Sequence, residues 1–433
     1  MNSALERKER PLPSDLLLLV LIFALPLMKP AISREVIVAD LLFVVLALVV
    51  AIEVLLGLRR LSWVSGFGAL IAYVAGLAPS LLASGDLDRS LFKYATEFYL
   101  IGLAAVTVWT IDSEMKFRRA LLAWLAATAI VCAEGILSLV AFVTGRGTWL
   151  LDYSGNGFGS LPPGNYPRLA LTFFGANMAC NYLTVSLALT LVAGNLGYVR
   201  RSICWLLLAG IAVAALSTIS AGLGGIALLA GLWLWLRDRG DFPRVATAGL
   251  VLGLAGALLF LAALAIMPIA HSTAPFLIHL PGGATLYGAG HVLTWSAALK
   301  QFLHHPLIGI GIGIDPIRVG LANPSGFEVL TDAHNVFLSI GAQCGIAGLA
   351  GLTALVAFVI ARTPWRAGLQ GQRLPQLLLG AAFVNVFVYQ GLGGSFEDTR
   401  HIWVLLGLFM AANRIEFSRA DGNNRTADAP SPC

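Results

Sequence analysis

Charge is scarce in this chain. Asp, Glu, Lys and Arg make up 12% of its 433 residues, roughly half the fraction of an ordinary soluble domain. Cysteine is sparse and unpatterned. Cys132, Cys180, Cys204 and Cys344 lie in apolar runs and Cys433 ends a polar stretch. No CxxC or zinc-ligand spacing is present, which argues against a disulfide framework and a zinc site. No block of like charge exists either. The formal net charge of +5 is spread over short basic clusters between apolar runs, the pattern of topology signals rather than of a nucleic-acid face. There is no internal repeat of fixed period, and no pair of broken helices of the kind found in inverted-repeat transporters. The basic start "MNSALERKER" is not followed by a small-residue cleavage site, so the first apolar run is expected to remain as a helix.

Hydrophobic residues are what the chain has in plenty, at 58% with a mean hydropathy of +0.82. Apolar runs near bilayer-spanning length recur at 14–29, 36–56, 63–83, 98–111, 120–143, 171–193, 203–218, 222–236, 246–269, 335–361, 374–393 and 402–413. The fold class expected is therefore all-α: a polytopic membrane helical bundle of about twelve transmembrane helices. Residues 1–413 would form one transmembrane domain, and 414–433 a polar tail expected to be disordered. If the N-terminus is cytoplasmic, the inside segments hold 19 of the 28 Lys and Arg, as the positive-inside rule requires, with both termini inside. The outside segments keep Lys29, Arg34, Arg89, Lys93, Arg146, Arg168, Lys300, Arg318 and Arg400. Two outside loops are long, 144–170 and especially 270–334, and long loops usually bind or catalyse something. In the larger one, Val292, Trp295, Leu299, Phe302 and Leu303 recur at helical spacing. They predict an amphipathic helix on the outer membrane surface or against the bundle.

The residue types in those loops suggest chemistry. Arg146 and Arg168 flank the smaller loop, and an arginine fork at a membrane face matches a phosphate or diphosphate. In "TDAHNVFLSIGAQCGIAGL", a polar segment runs into an apolar one. His334 could take a proton from a hydroxyl nucleophile, with Asp332 orienting it if the segment is extended. Asp332 or Asn335 could equally serve as a helix N-cap. Asp86 and Asp88 form a lone DxD, a pattern that can hold a divalent metal but here reads better as a solvated loop. His304 and His305 diverge on a helix and make a poor metal pair. "GIGIGID" lacks the Lys-Ser/Thr of a P-loop and reads as a flexible turn. Glu134 lies mid-span, where a charge is costly and often functional. Asn177 and Asn181, one turn apart, suit bonds between helices.

Four segments together resemble the O-antigen ligase and polymerase superfamily, in its order. "DAHNVFLSIGAQCGIAGL" resembles the His-Asn-x-x-Leu opening of the helix that follows the large periplasmic loop. "PRLALTFFGANMACNYL" resembles the Arg-x-x-x-T-F-x-x-x-N segment. "WSAALKQFLHHPLIGIGIG" resembles the loop helix with His-Pro-Leu-x-Gly-x-Gly, and "SFEDTRHIWVLLGL" the closing segment. The chain departs from the pattern at His291, where the family often has Arg, at Ala221 of a Ser-Arg-Gly turn, and at Gln343, where an acid is common. The two absent arginines imply a phosphate-binding set that is smaller, or drawn from Arg146, Arg318 or Arg400. The resemblance implies a GT-C-like fold with short helices in the periplasmic loop. It also implies an inner-membrane enzyme that performs inverting glycosyl transfer at the periplasmic face without metal or other cofactor. The donor would be a glycan on undecaprenyl diphosphate. The acceptor would be a hydroxyl of lipid A–core in a ligase, of another glycan in an O-antigen or exopolysaccharide polymerase, or of a protein in an O-oligosaccharyltransferase. His334 would activate the acceptor. Arg168, with Arg146, Arg318 and Arg400, would hold the diphosphate, supported by Asp332, Asn335, Asn177 and His291. Nucleic acid has no place in this reading. A lipid-linked glycan transporter is the rival from another class. It would place several charges deep in the spans, where Glu134 alone is clear.

Overall fold

The computed structural model describes residues 11–29, 36–155, 168–237, 277–279, 285–287, 289–323, 326–365 and 373–417. Its first helices are α1 (Pro13–Ala24), α2 (Val38–Leu55), α3 (Phe67–Leu77), α4 (Leu87–Thr110), α5 (Glu114–Thr144) and α6 (Thr148–Ser154). They are followed by α7 (Ala176–Asn195), α8 (Arg201–Ser217) and α9 (Leu223–Arg237). The loop region carries two antiparallel hairpins, β1 (Leu277–His279) with β2 (Thr285–Tyr287) and β3 (Val319–Asn323) with β4 (Gly326–Leu330), around α10 (Ala289–His304). The chain continues through α11 (Val336–Arg362), α12 (Leu374–Phe383) with its π and 3-10 continuation to Leu392, and α13 (Arg400–Ala412).

The architecture is mostly helical. Among the described residues, six helices are long and apolar enough to cross a membrane, and five further apolar helices are shorter. The expected span 246–269 lies outside the described residues. Three expectations shift. The span set at 98–111 begins earlier, at Leu87, because Asp86 accepts the Arg89 N–H and caps a longer helix. The large loop holds hairpins as well as a helix, which its short, weakly alternating strands did not signal. Of the expected disordered tail, residues 414–417 pack onto the bundle: Phe417 lies edge-on to Phe117, and Arg414 donates to the Val108 carbonyl.

Burial separates centre from perimeter. The apolar window of α7 is 89% buried and that of Leu374–Leu392 is 83% buried, against 22% for α2. On α2 the exposed faces are Leu41, Val44, Val45, Leu48 and Ile52, the side chains a lipid environment would cover. The segments expected inside meet at one end, where buried Arg59 bonds Asp15, Glu53 and the Trp109 carbonyl and Lys116 pairs with Asp15. Those expected outside meet at the other, as Lys29 with Tyr153, Arg89 with Asp315 and Lys93 with Asp398.

Two contacts fix α11. It crosses α3 at Gly76 and Gly351, where a Cβ on Gly76 would come 2.5 Å from the Ala347 carbonyl; small residues let helix backbones approach this closely. The helix is also broken, with Gly345 at φ 64°. The break frees two carbonyls and two N–H groups from the i to i+4 ladder, and residues 306–311 take all four. Ile310 and Gly311 donate to the carbonyls of Ala342 and Gln343 at 3.2 and 3.0 Å. Ile346 and Ala347 donate to those of Pro306 and Leu307 at 2.7 and 3.3 Å. The "GIGIGID" stretch, read from sequence as a flexible turn, is instead a splint hydrogen-bonded into the broken helix. Gln343 Oε1 completes it by accepting the Gly313 N–H at 2.8 Å, a task a carboxylate would perform equally.

The splint can be tested. A Cβ at Gly345 would lie 2.4 Å from Leu307 backbone, whereas Gly57, also left-handed at φ 70°, has nothing within 4 Å. Gly57→Ala is expected to cost about 1 kcal/mol of backbone strain, and Gly345→Ala clearly more. Thermal midpoints in detergent should rank wild type, G57A, G345A; equal midpoints for the two variants would show the splint to be loose.

Candidate functional site

The turn before α11 is built by three adjacent polar residues with separate tasks. Asn335 is the N-cap: its Oδ1 accepts the N–H groups of Phe337 and Leu338 at 3.0 and 3.1 Å. Its amide donates to the Leu392 carbonyl at 3.1 Å. Capping therefore falls to Asn335 and leaves Asp332 and His334 for another use. His334 sits at φ 50°, a left-handed conformation that costs a non-glycine residue energy and is concentrated at functional sites. That turn folds the chain so that Asp332 meets His334 twice. Its Oδ1 accepts the His334 backbone N–H at 3.2 Å, and its Oδ2 stands 3.2 Å from His334 Nδ1. Ser395 donates its hydroxyl to Oδ1 at 2.7 Å.

The electrostatics follow from these contacts. Burial pushes the Asp332 carboxyl up, but the hydrogen bonds and charge of His334 and the Ser395 hydroxyl outweigh it and hold it below the usual carboxylate range. An ionised Asp332 beside Nδ1 favours the tautomer with the proton on Nδ1, which puts the ring's lone pair on Nε2. The His334 side chain is 44% exposed, so a substrate can reach it.

Arg168 lies at the start of the segment leading into α7. Its guanidinium donates to the Thr218 carbonyl at 3.2 Å and to Asn177 Oδ1 at 3.0 Å, and Ser220 donates to the same Asn177 oxygen at 2.8 Å. Burial lowers the Arg168 pKa from its usual value. One turn along α7, Asn181 donates to the Val386 carbonyl and to Gln390 Oε1 at 2.9 and 3.1 Å. Two residues beyond Gln390, the Leu392 carbonyl receives Asn335. These polar contacts, joined to one another by the backbone of α7 and of residues 390–392, link the Arg168 segment to the His334 turn.

Residues 202–353 match the O-antigen ligase family model. No curated protein matches the chain. The match runs from α8 into α11 past its break, so it contains the Asp332–His334–Asn335 turn. It is consistent with the O-antigen ligase and polymerase superfamily and with glycosyltransferase-like activity in glycan assembly. With several apolar helices, it fits a multi-pass bacterial membrane protein.

The other expected site residues are scattered. Arg146 is exposed on the turn between α5 and α6. The end of α6 reaches the Arg168 segment, since the Ser154 carbonyl accepts the N–H groups of Ala170 and Leu171. Arg400, expected among the diphosphate ligands, forks onto Asp40 with both bonds at 3.0 Å. Arg318 is exposed near Lys300, beside α10. The His291 side chain lies outside the described residues. Asp86 caps α4, and His304 and His305 are exposed. Among the described residues, no group of three or more His, Cys, Asp or Glu is placed to hold a metal.

Several residues near the site were missed from sequence. Ser395 holds Asp332. Buried Gln390 and Asn385 bond Thr184 and the Gly225 carbonyl, and buried His401 donates through Nε2 to Asn181 Oδ1 at 2.8 Å. The expectation that flagged Glu134, a polar group in an apolar run, applies equally to "VNVFVYQGL" and would have found Asn385 and Gln390. Glu397 lies in the same loop as Ser395, with its carboxyl pushed well up by burial and by the Asp398 charge.

The double task of Asn335 yields a stability test. Asn335→Ala should cost about 1 kcal/mol through the lost cap, and more through the unpaired Leu392 carbonyl. Asn335→Asp keeps the cap acceptor and loses only the donor. Detergent thermal midpoints should fall least for the Asp variant, and a lower midpoint for Asp than for Ala would refute this division.

Proposed function

We propose that the chain is a glycosyltransferase working at the outer membrane–water boundary of the inner membrane. It would move a glycan from undecaprenyl diphosphate to an acceptor hydroxyl, as an O-antigen ligase joining O-antigen to lipid A–core. The observation that carries the reading is the Asp332–His334 pair held on a left-handed turn, inside the stretch that matches the O-antigen ligase family.

In this reading His334 is the general base. The acceptor hydroxyl gives its proton to Nε2 as its oxygen attacks the anomeric carbon. Asp332 holds the ring and steadies the imidazolium that forms. The glycan–diphosphate bond breaks on the opposite face of the sugar, which inverts the anomeric centre and releases undecaprenyl diphosphate. The departing anion needs cations. Arg168 is the first choice, because Asn177 and the Thr218 carbonyl fix its fork, with Arg146 beside the same segment. Arg400 acts less directly, since Asp40 already takes its fork. The donor must arrive on a lipid because nucleotide sugars are not available outside the cell. No metal or other cofactor enters this mechanism.

Deleting the gene in its host tests the class. A ligase loss leaves complete core without polymer, and polymer stranded on its lipid carrier. Core bearing single repeat units would indicate a polymerase instead, and unaltered lipopolysaccharide would remove both. His334→Ala is expected to lower transfer by about 10²–10⁴-fold with unchanged membrane insertion; retained activity would strike out the base. Arg168→Ala should raise the donor KM more than the acceptor KM, and an unchanged donor KM would count against the diphosphate contact.

A further inference from the structure

The surface beside the His334 turn contains a cleft of about 890 Å³ between α10 and the segment leading into β3, a size common for small-molecule sites. Helix α10 lines it along one stripe. Ala297, Lys300, Gln301 and His304 follow the i, i+3, i+4, i+7 spacing that places side chains on a single helix face. A different face of α10, with Thr294, Trp295 and Ala298, is buried. Across from the stripe stand Arg318 and Thr331.

Cations outnumber acids in this cleft. Lys300 and Arg318 are both exposed cations. Asp315, the cleft's acid, is already paired with Arg89 of α4. Among the described residues neither Lys300 nor Arg318 is in an ion pair, and the hydroxyl of Thr331 and the amide of Gln301 flank them. That combination suits a saccharide carrying an anionic group.

Its location says which saccharide. Thr331 immediately precedes Asp332. Ile317, in the cleft wall, belongs to a small apolar cluster with Ala298, Ala333 and Ala342, and Ala297 packs against it. Ala333 is the residue between Asp332 and His334. The cleft and the proposed base therefore share one apolar plug, with Ala333 directly before His334 in the chain. Arg168, proposed for the donor diphosphate, bonds instead to Asn177 and the Thr218 carbonyl beyond α7.

We propose that this cleft is the acceptor subsite and that Lys300 and Arg318 recognise a phosphate on the acceptor glycan. This rests on the reading of His334 as the base that activates the acceptor. It assigns Arg318 to the acceptor rather than to the donor diphosphate.

The test separates binding from transfer. The probe is deacylated lipid A–core oligosaccharide, with its phosphates and after phosphatase treatment. Binding to full-length His334→Ala protein in detergent is measured by calorimetry. The phosphorylated form should bind about tenfold more tightly, as expected for a charge-assisted contact. Adding K300Q and R318Q should erase that advantage, and raising the salt should shrink it. Equal binding of the two forms, or an advantage that survives K300Q/R318Q, overturns the proposal. In transfer assays with otherwise wild-type protein, K300Q/R318Q should raise the acceptor KM about tenfold without moving the donor KM. A rise in donor KM alone would return Arg318 to the diphosphate and defeat the acceptor assignment. Discriminating binding without any transfer would support the cleft while removing the proposed function. Transfer without discrimination would do the reverse.

Discussion

The break in α11 at Gly345 is the constraint on which the outer end of this protein depends. A transmembrane helix that opens its ladder must satisfy the freed groups within the protein, because lipid offers no hydrogen bonds. Here the satisfaction is complete at the break. Two carbonyls and two N–H groups are taken by residues 306–311. Because those residues follow directly on α10, the splint also fixes where α10 ends. Because they bond the first half of α11, they fix its relation to the turn that begins it. The cleft along α10 and the polar turn at 332–335 therefore belong to one body. Gly76 and Gly351 anchor the second half of α11 to α3 at the same time, so the helix cannot slide along its axis to close the break.

Counting cations outside the expected spans overstated what is available for a substrate. Arg89 is matched to Asp315, Lys93 to Glu97 and Asp398, and Arg400 to Asp40. A charge near an apolar phase is strongly favoured to find an opposite partner, and each of these found one across a long sequence separation, Lys93 also pairing with Glu97 four residues along α4. Two bonds of Arg168 go to neutral acceptors, an amide oxygen and a carbonyl, and bonds of that kind orient a guanidinium without cancelling its charge. Sequence position alone does not reveal the long-range pairings, because Asp315, Asp398 and Asp40 each lie outside the helix that carries the cation.

The legible part of the fold was local. Apolar runs located the helices, and the three-and-four spacing of Trp295, Leu299 and Phe302 located α10. Even there one detail differs: Trp295 is buried against the bundle, whereas Leu299 and Leu303 remain exposed. The boundary of α4 was misplaced because its first turns carry Asp88, Lys93 and Glu97, which hydropathy reads as loop. Of the candidate site, sequence brought together Asp332 with His334 and Arg168 with Asn177, pairs that lie close along the chain. Ser395, Gln390 and His401 were not, since their importance arises from contacts 63, 209 and 220 residues away. No local pattern encodes such pairings.

The adjacency of His334 and Asn335 has its own logic. A helix N-cap residue is fixed by its bonds to the first turn, so the residue before it inherits a fixed position without belonging to the helix. His334 uses that position at the expense of a left-handed backbone, which the bond from its own N–H to Asp332 helps to hold. Leu392 and Ser395 then tie the cap and the carboxylate to the same loop. The loop itself is held by the Trp403 indole, which donates to the Glu397 carbonyl at 2.7 Å, and by Lys93 on Asp398. An imidazole placed this way keeps its orientation while its ring stays partly exposed. A histidine inside the helix would have gained rigidity and lost access. One on an ordinary loop would have kept access and lost its bearing on the carboxylate.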